Sequence, residues 1–299
     1  MIRPGHFGFN EETAASNAFQ SKTDQLSVAE IRTKAIEEFD GMVVMLRNLD
    51  INVIVMDDSP EYQTPDAVFP NNWVSFHENG LILTYPMFAE VRRLERRERI
   101  LDAIAEKFEV KAILPLTNFE SKEQFLEGTG SMILDRTHKI AYACLSPRTH
   151  PEVFDKFCHL MGYKGVSFKA VDANGKEIYH TNVMMALGER FVIFVADAVR
   201  NPNELERIKR TFADSGKTLI EISIEQMEAF AGNMLQIRNK AGQTYLMMSS
   251  QAYQSLNEVQ VSKIEAHTSI IHYPINTIEL IGGGSVRCMM AEIFLPPKK

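Results

Sequence analysis

"RFVIFVADAVRNPNELERIKRTFADSG", Arg190 to Gly216, decides how the rest of the chain is read. Its opening, "FVIFVA", is nearly all apolar, the pattern of a short strand covered on both faces. A polar break follows, then Pro202, where a missing N–H does no harm to the first turn of a helix. The helical pattern runs on to Gly216, a residue suited to closing a helix. The same order of parts recurs three more times. "GLILTYPMFAEVRRLERRERILDAIAEKF" (80–108) has apolar residues at helical spacing from Arg99 to Phe108. "KIAYACLSPRTHPEVFDKFCHLMG" (139–162) again opens its helix on a proline, Pro151, and "TYLMMSSQAYQSLNEVQVSKIEAH" (244–267) is the fourth copy.

Working outward, each copy is preceded by another short strand with Gly, Asn or a small polar residue just before it. These stretches are "VFPNNWVSF", "LEGTGSMIL", "YHTNVMMAL" and "FAGNMLQIR", and "GGSVRCMMAEI" near the C-terminus is a fifth. With Asn72, Gly130, Asn182, Asn233 and Cys288 as markers, the separations are 58, 52, 51 and 55 residues. A loose period of this kind marks a repeat architecture. Near the N-terminus, "IRTKAIEEFDGMVVMLRNLD" and "INVIVMDD" supply a further helix and strand that would complete a ring with the C-terminal strands. The expected fold is α/β: five cyclic ββαβ units, helices outside, arranged as a five-bladed propeller. Strand ends from all units would then converge on one cavity. No Ser/Pro/Gly-rich linker divides the chain, so residues 1–299 are expected to form one domain.

Composition narrows the function. The 299 residues are 45% hydrophobic and 24% charged, enough for a sizeable core. A formal charge of −7 argues against nucleic acid or an anionic membrane as the main partner. The one basic run, "RRLERRER" (Arg92 to Arg99), is interleaved with glutamates and reads as a solvated helix face. No apolar stretch approaches the roughly 20 residues that span a bilayer, and the N-terminus lacks the apolar core of a signal peptide. Three cysteines suit a reducing cytoplasm better than a disulfide framework. A cytoplasmic protein is expected.

If the markers converge, the cavity collects Asp66, Asn71, Asn72, Glu127, His180, Asn182, Asn233 and Cys288. A thiol nucleophile needs an acid/base partner, and that partner needs a group to orient it. Cys288, His180 and Glu127 are that set, from three separate units. Glycines before the cysteine, Gly283 and Gly284 among them, would let backbone N–H groups approach a reacting substrate as oxyanion donors. Cys144 and Cys158 read as small buried hydrophobes. His6, His77, His138, His150 and His159 read as surface or satisfied core residues, while His267 and His272 stay unassigned. No Cys-x-x-Cys or His-x-x-x-His pair and no phosphate-binding loop occurs, so neither a metal nor a cofactor is expected.

These segments together resemble the guanidino-group-modifying, or pentein, superfamily. That superfamily includes arginine and agmatine deiminases, dimethylarginine dimethylaminohydrolases and amidinotransferases. "PDAVFPNNW" is similar to its P-D-x-V-F-x-[E/D]-D motif, "LEGTGS" to E-G-G-D and "HTN" to H-x-D. "LSPRT" is similar to S-x-R-T, and "GGGSVRC" to the segment before the nucleophile. The resemblance covers essentially the whole chain. It implies a five-bladed propeller with Cys288 as nucleophile, His180 as general acid/base and Glu127 as its partner. It also implies that Arg148, with Arg92 or Arg93, holds a substrate carboxylate.

Two departures bear on the substrate. The superfamily's guanidinium-binding aspartates are replaced by Asn72 and Asn182, and "GTG" follows Glu127 where the family has "GGD". A buried cation without a carboxylate is disfavoured, whereas asparagine offers an uncharged donor and acceptor to a neutral ureido group. The pattern, including "RPGHFGFNEETAASNAFQ" (3–20), looks most like the citrulline-utilisation hydrolases, which cleave citrulline to ornithine, ammonia and carbon dioxide. A small amino acid is the expected partner, with a homodimer left open. A guanidine substrate stays open if Asp66 reaches the cavity, as does a non-catalytic scaffold of the same fold.

Overall fold

The computed structural model describes residues 1–14 and 16–298; Ala15, inside the N-terminal motif, lies outside them. Two short strands, β1 (Ile2–Arg3) and β2 (Met56–Asp57), pair in parallel. The remaining ladders form four three-stranded sheets of one design. The first holds β3 (Val74–Phe76), β4 (Leu81–Thr84) and β5 (Ala112–Pro115), the second β6 (Ile133–Asp135), β7 (Ile140–Cys144) and β8 (Lys164–Phe168). The third holds β9 (Met185–Leu187), β10 (Phe191–Phe194) and β11 (Thr218–Glu221), the fourth β12 (Leu235–Arg238), β13 (Thr244–Ser249) and β14 (Ser269–Tyr273). In every sheet the middle strand is antiparallel to the first and parallel to the third. A parallel pair needs a crossover, and a helical segment supplies it each time. The crossovers are Glu98–Lys107, Pro151–Met161, Pro202–Asp214, and the broken pair Ser250–Ser255 and Glu258–Glu265.

Local chemistry sets the ends of these helices. Asn201 caps the third crossover by accepting from the N–H groups of Asn203 and Glu204, and Pro202 takes the first helical position. Gly216 follows the helix with φ +68°. Ile208 and Phe212 are buried on its inner face, and the Phe212 ring centroid lies 5.4 Å from that of Phe194. Each such side chain contributes about 1.5–3 kcal/mol of transfer free energy. The middle strands β7 and β10 are buried from end to end, and β4 and β13 are buried after their first residue, as their apolar runs require.

The first strands of successive sheets adjoin one another: β6 packs on β9, and β9 on β12. The turn Gly128–Ser131 packs on Pro70–Asn72 on one side and on Thr181–Met184 on the other. The marker segments of separate units therefore touch. Among the described residues, no helix is long and apolar enough to cross a membrane.

Three expectations are corrected. "RRLERRER" is not a solvated face: Arg92, Glu95 and Arg97 are buried. Their charges are met inside, Arg92 by Glu95 at 2.8 Å and Arg97 by Asp58 at 3.3 Å. In "INVIVMDD" only Met56 and Asp57 enter a ladder. A cavity of about 260 Å³ lies between Ile51–Met56 and Met290–Ile293, where a ring-closing pair was expected. Cys288 opens no strand. The N–H groups of Cys288 and Met289 close turns onto Ser285 and Val286, so a ladder cannot use them.

Candidate functional site

Asn71, Asn72, Glu127, His180 and Asn182 sit on turns leading into the first strand of a unit, whereas Cys288 sits on a turn that no strand follows. Asn71 and Asn72 end the tight turn Pro70–Asn72 before β3. Glu127 starts the turn before β6, with its N–H on Ser131 Oγ, and Ser131 Oγ in turn donates to the Arg148 carbonyl. His180 starts the turn before β9, and Thr181 Oγ1 ties that turn to the Ser131 carbonyl at 2.6 Å. Gly128 makes the closest approach possible. At φ +47°, a Cβ there would lie 2.3 Å from the Asn71 carbonyl oxygen.

Cys288, His180 and Glu127 are all at least nineteen-twentieths buried (4%, 2% and 0% exposed). Glu127 Oε2 accepts from His180 Nε2 at 2.8 Å, while Oε1 accepts the Phe88 N–H at 3.0 Å. Burial works against the Glu127 carboxylate, but the Arg148 charge and the His180 hydrogen bond outweigh it and hold the group well below the usual range. An ionised carboxylate can only accept, so Nε2 carries the proton and Nδ1 is left as a base. Burial lowers the His180 pKa despite Glu127, which keeps the imidazole neutral. Cys288 Sγ accepts from the side-chain amides of Asn182 and Asn233, each at 3.2 Å. Asn233 is itself fixed, donating to the Asn182 carbonyl and accepting from the Arg287 N–H.

Asp66 is buried beside this group, accepting from Asn10 Nδ2 at 2.7 Å with its other oxygen unpartnered. Burial raises its pKa against the pull of Arg92. Arg148 lies 3.6 Å from Glu127 and 4.9 Å from the Tyr179 ring centroid. Its guanidinium donates to the Thr13 carbonyl and to Ser16 Oγ. Arg92 is turned inward onto Glu95 and Asn72. Arg93 stands apart, its guanidinium on the Met87 carbonyl, Glu90 and Glu120.

One glycine of the run does not serve as expected. Gly283 gives its N–H to the Glu279 carbonyl as a helix cap, so that donor is spent before any substrate arrives. Its carbonyl accepts from Tyr179 and Asn17. A Cβ on Gly284 would meet the Phe69 ring at 2.9 Å, so this glycine makes room for packing.

Sequence reasoning gave no role to Asn10, Thr13, Ser16 and Asn17, whose side chains or carbonyls tie the N-terminal segment to Asp66, Arg148 and Gly283. It also missed Glu95, although the Arg92–Glu95 spacing of three was a readable signal. Among the described residues, no group of three or more His, Cys, Asp and Glu is arranged to hold a metal ion.

A family profile described as "N,N dimethylarginine dimethylhydrolase, eukaryotic" matches residues 3–295. The chain belongs to this family. It is thus a pentein-type member of the guanidino-modifying hydrolases, which act on C–N bonds. Solved structures agree in fold. The N-terminal domain of ArgZ, covalently bound to a reaction intermediate, is 15% identical with TM-score 0.75, covering 99% of this chain and 98% of that one. Unliganded AgrE is 16% identical with TM-score 0.76, covering all of this chain and 39% of that one. A dimethylarginine dimethylaminohydrolase adduct with S-methyl-L-thiocitrulline is 16% identical with TM-score 0.63, at 96% of both chains. Apo ArgZ, described as an arginine dihydrolase from the ornithine-ammonia cycle in cyanobacteria, is spanned over only 40% of that chain. No curated protein matches the chain.

Proposed function

We propose that this chain is one catalytic unit, a five-bladed propeller, that hydrolyses the ureido group of citrulline through Cys288. One observation carries the choice of substrate. Four buried polar atoms of the candidate site have no hydrogen-bond partner: Asp66 Oδ1, Asn71 Oδ1, Asn182 Oδ1 and Asn72 Nδ2. That is three acceptors and one donor. A ureido group brings three N–H donors and one carbonyl acceptor, whereas a guanidinium brings only donors.

In the proposed reaction Cys288 gives its proton to His180 Nδ1 and Sγ bonds to the ureido carbon. Collapse of the adduct breaks the C–N bond to the side chain, and the imidazolium proton goes to the departing amine of ornithine. Water then gives a proton to His180 and its oxygen to the carbamoyl carbon. The S–C bond breaks, the thiol regains its proton, and carbamic acid separates into ammonia and carbon dioxide. Glu127 holds the imidazole in one tautomer throughout, and Arg148 is the candidate for the substrate carboxylate.

A guanidine substrate is the second reading, favoured by the family and by the free Asp66 oxygen. Release of ammonia from citrulline and arginine, and of dimethylamine from dimethylarginine, separates the two, with Cys288→Ala as control. An unmatched donor costs about 1–3 kcal/mol, so citrulline should lead by roughly tenfold or more. Faster turnover of arginine or dimethylarginine would reject the ureido reading. Full activity in Cys288→Ala would reject the nucleophile.

A further inference from the structure

Asn72 contributes the one donor among the four open atoms, and an amide can present either end. Which end faces the substrate is decided by its other neighbour. Arg92 Nη1 lies 2.7 Å from Asn72 Oδ1. A guanidinium has no acceptor, so the amide can meet it only through oxygen. Turning the amide over would set N–H against N–H in a buried place, and Asn72 is 2% exposed. Nδ2 is therefore forced to the opposite side. There it lies 2.3 Å from the point that a Cβ on Gly130 would occupy, and His180 Nδ1 lies 2.8 Å from the same point. The donor and the catalytic base flank one small space.

Arg92 is itself held. Glu95 takes Nε at 2.8 Å and Nη2 at 3.0 Å, a bidentate pair with both side chains buried. Nη2 also reaches the Phe69 carbonyl at 3.2 Å, at the root of the turn that carries Asn72. With those donors engaged, Nη1 is the part of the guanidinium left for Asn72.

We propose that Arg92, oriented by Glu95, is a specificity-determining positioning residue: it fixes the Asn72 amide with its N–H group toward the substrate, selecting a ureido oxygen. The inference rests on the ureido reading and adds the reason for it. Without Arg92 the amide turns freely and can offer its oxygen to a guanidinium.

The test compares wild type, Arg92→Lys and the pair Arg92→Met with Glu95→Met, which removes both members of the pair because a lone buried charge is strongly destabilising. Asp66, 3.8 Å from Arg92, keeps Asn10 as its donor. Read the ratio of kcat/KM for citrulline over arginine, with melting temperature as a fold control. Lysine also only donates, so Arg92→Lys should keep the ratio within severalfold. The paired variant should lose it by tenfold or more. Equal losses on both substrates, with the ratio unmoved, would mean that Arg92 is merely structural and would overturn the proposal. Should the paired variant fail to fold, the Asn72 side-chain N–H2 resonances of a Cys288→Ala protein decide. They must shift with citrulline and not with ornithine; an unresponsive signal overturns the proposal. Absence of Cys288-dependent citrulline turnover in the wild type would instead remove the functional reading from which this starts.

Discussion

Replacing Glu127 by glutamine keeps the shape of the side chain and removes its charge. Glu127 accepts two N–H groups, from His180 Nε2 and from Phe88, and lies 3.6 Å from the Arg148 guanidinium. A glutamine has one oxygen for three donors. If the oxygen stays with Phe88, its N–H2 faces His180 Nε2, which must then become the acceptor. The ring proton moves to Nδ1, the nitrogen beside Asn72 and Gly130, and the base is lost. The same amide-for-carboxylate change in a serine triad lowers kcat about 10⁴-fold, or about 5 kcal/mol of transition-state stabilisation. A loss of roughly 10³–10⁴ in kcat is expected on citrulline, with a smaller rise in KM through Arg148, the candidate for the substrate carboxylate. Stability should fall by about 3–5 kcal/mol, since the buried Arg148 loses its carboxylate and keeps only Thr13 and Ser16 as partners. The assay is ammonia release at saturating citrulline, beside thermal melting and ¹⁵N spectra of His180. A Glu127→Gln protein within tenfold of wild type, or one with the proton still on Nε2, would refute the tautomer argument.

Two further outcomes rest on the same geometry. Burial lowers the His180 pKa, and only the neutral ring can take the thiol proton, so activity should persist below the ordinary histidine value of about 6.5 and fall only as pH drops through the lowered one; an acid limb above 6.5 in a kcat/KM profile would contradict this. Gly130→Ala would place a methyl 2.3 Å from Asn72 Nδ2 and 2.8 Å from His180 Nδ1, so kcat should fall by more than tenfold while melting shifts modestly, and a fully active alanine variant would show that these groups do not face the reacting space.

The repeat was legible because each unit writes it locally. An apolar strand, a proline or asparagine cap and a closing glycine are short-range signals, and Pro202, Asn201 and Gly216 do in the fold what their chemistry dictates. The catalytic candidates stood out for a related reason: a glutamate, a histidine and a cysteine fall within three residues of the marker position in three separate units. The ends of the ring were not. Ile51 to Met56 and the chain after Cys288 are apolar enough for strands, yet strand pairing needs a neighbour at the right distance, and a cavity occupies the place.

Charge was misread where pairing is long-range. Arg92, Glu95 and Arg97 look like a wet helix face because composition counts charges without their partners. Burial became possible only once folding brought Asp58, Asp66 and Asn72 against them. Gly283 failed as an oxyanion donor for the same kind of reason, since its N–H is claimed by a helix that the motif alone does not reveal. Sequence by itself determined the units, their order and the residue types at their mouths, because those depend on local propensity and spacing. Tertiary structure alone decided which way each side chain points, which N–H groups remain unspent, and that Asn72 offers its donor. Those depend on the one neighbour across the site that takes the other end of the hydrogen bond.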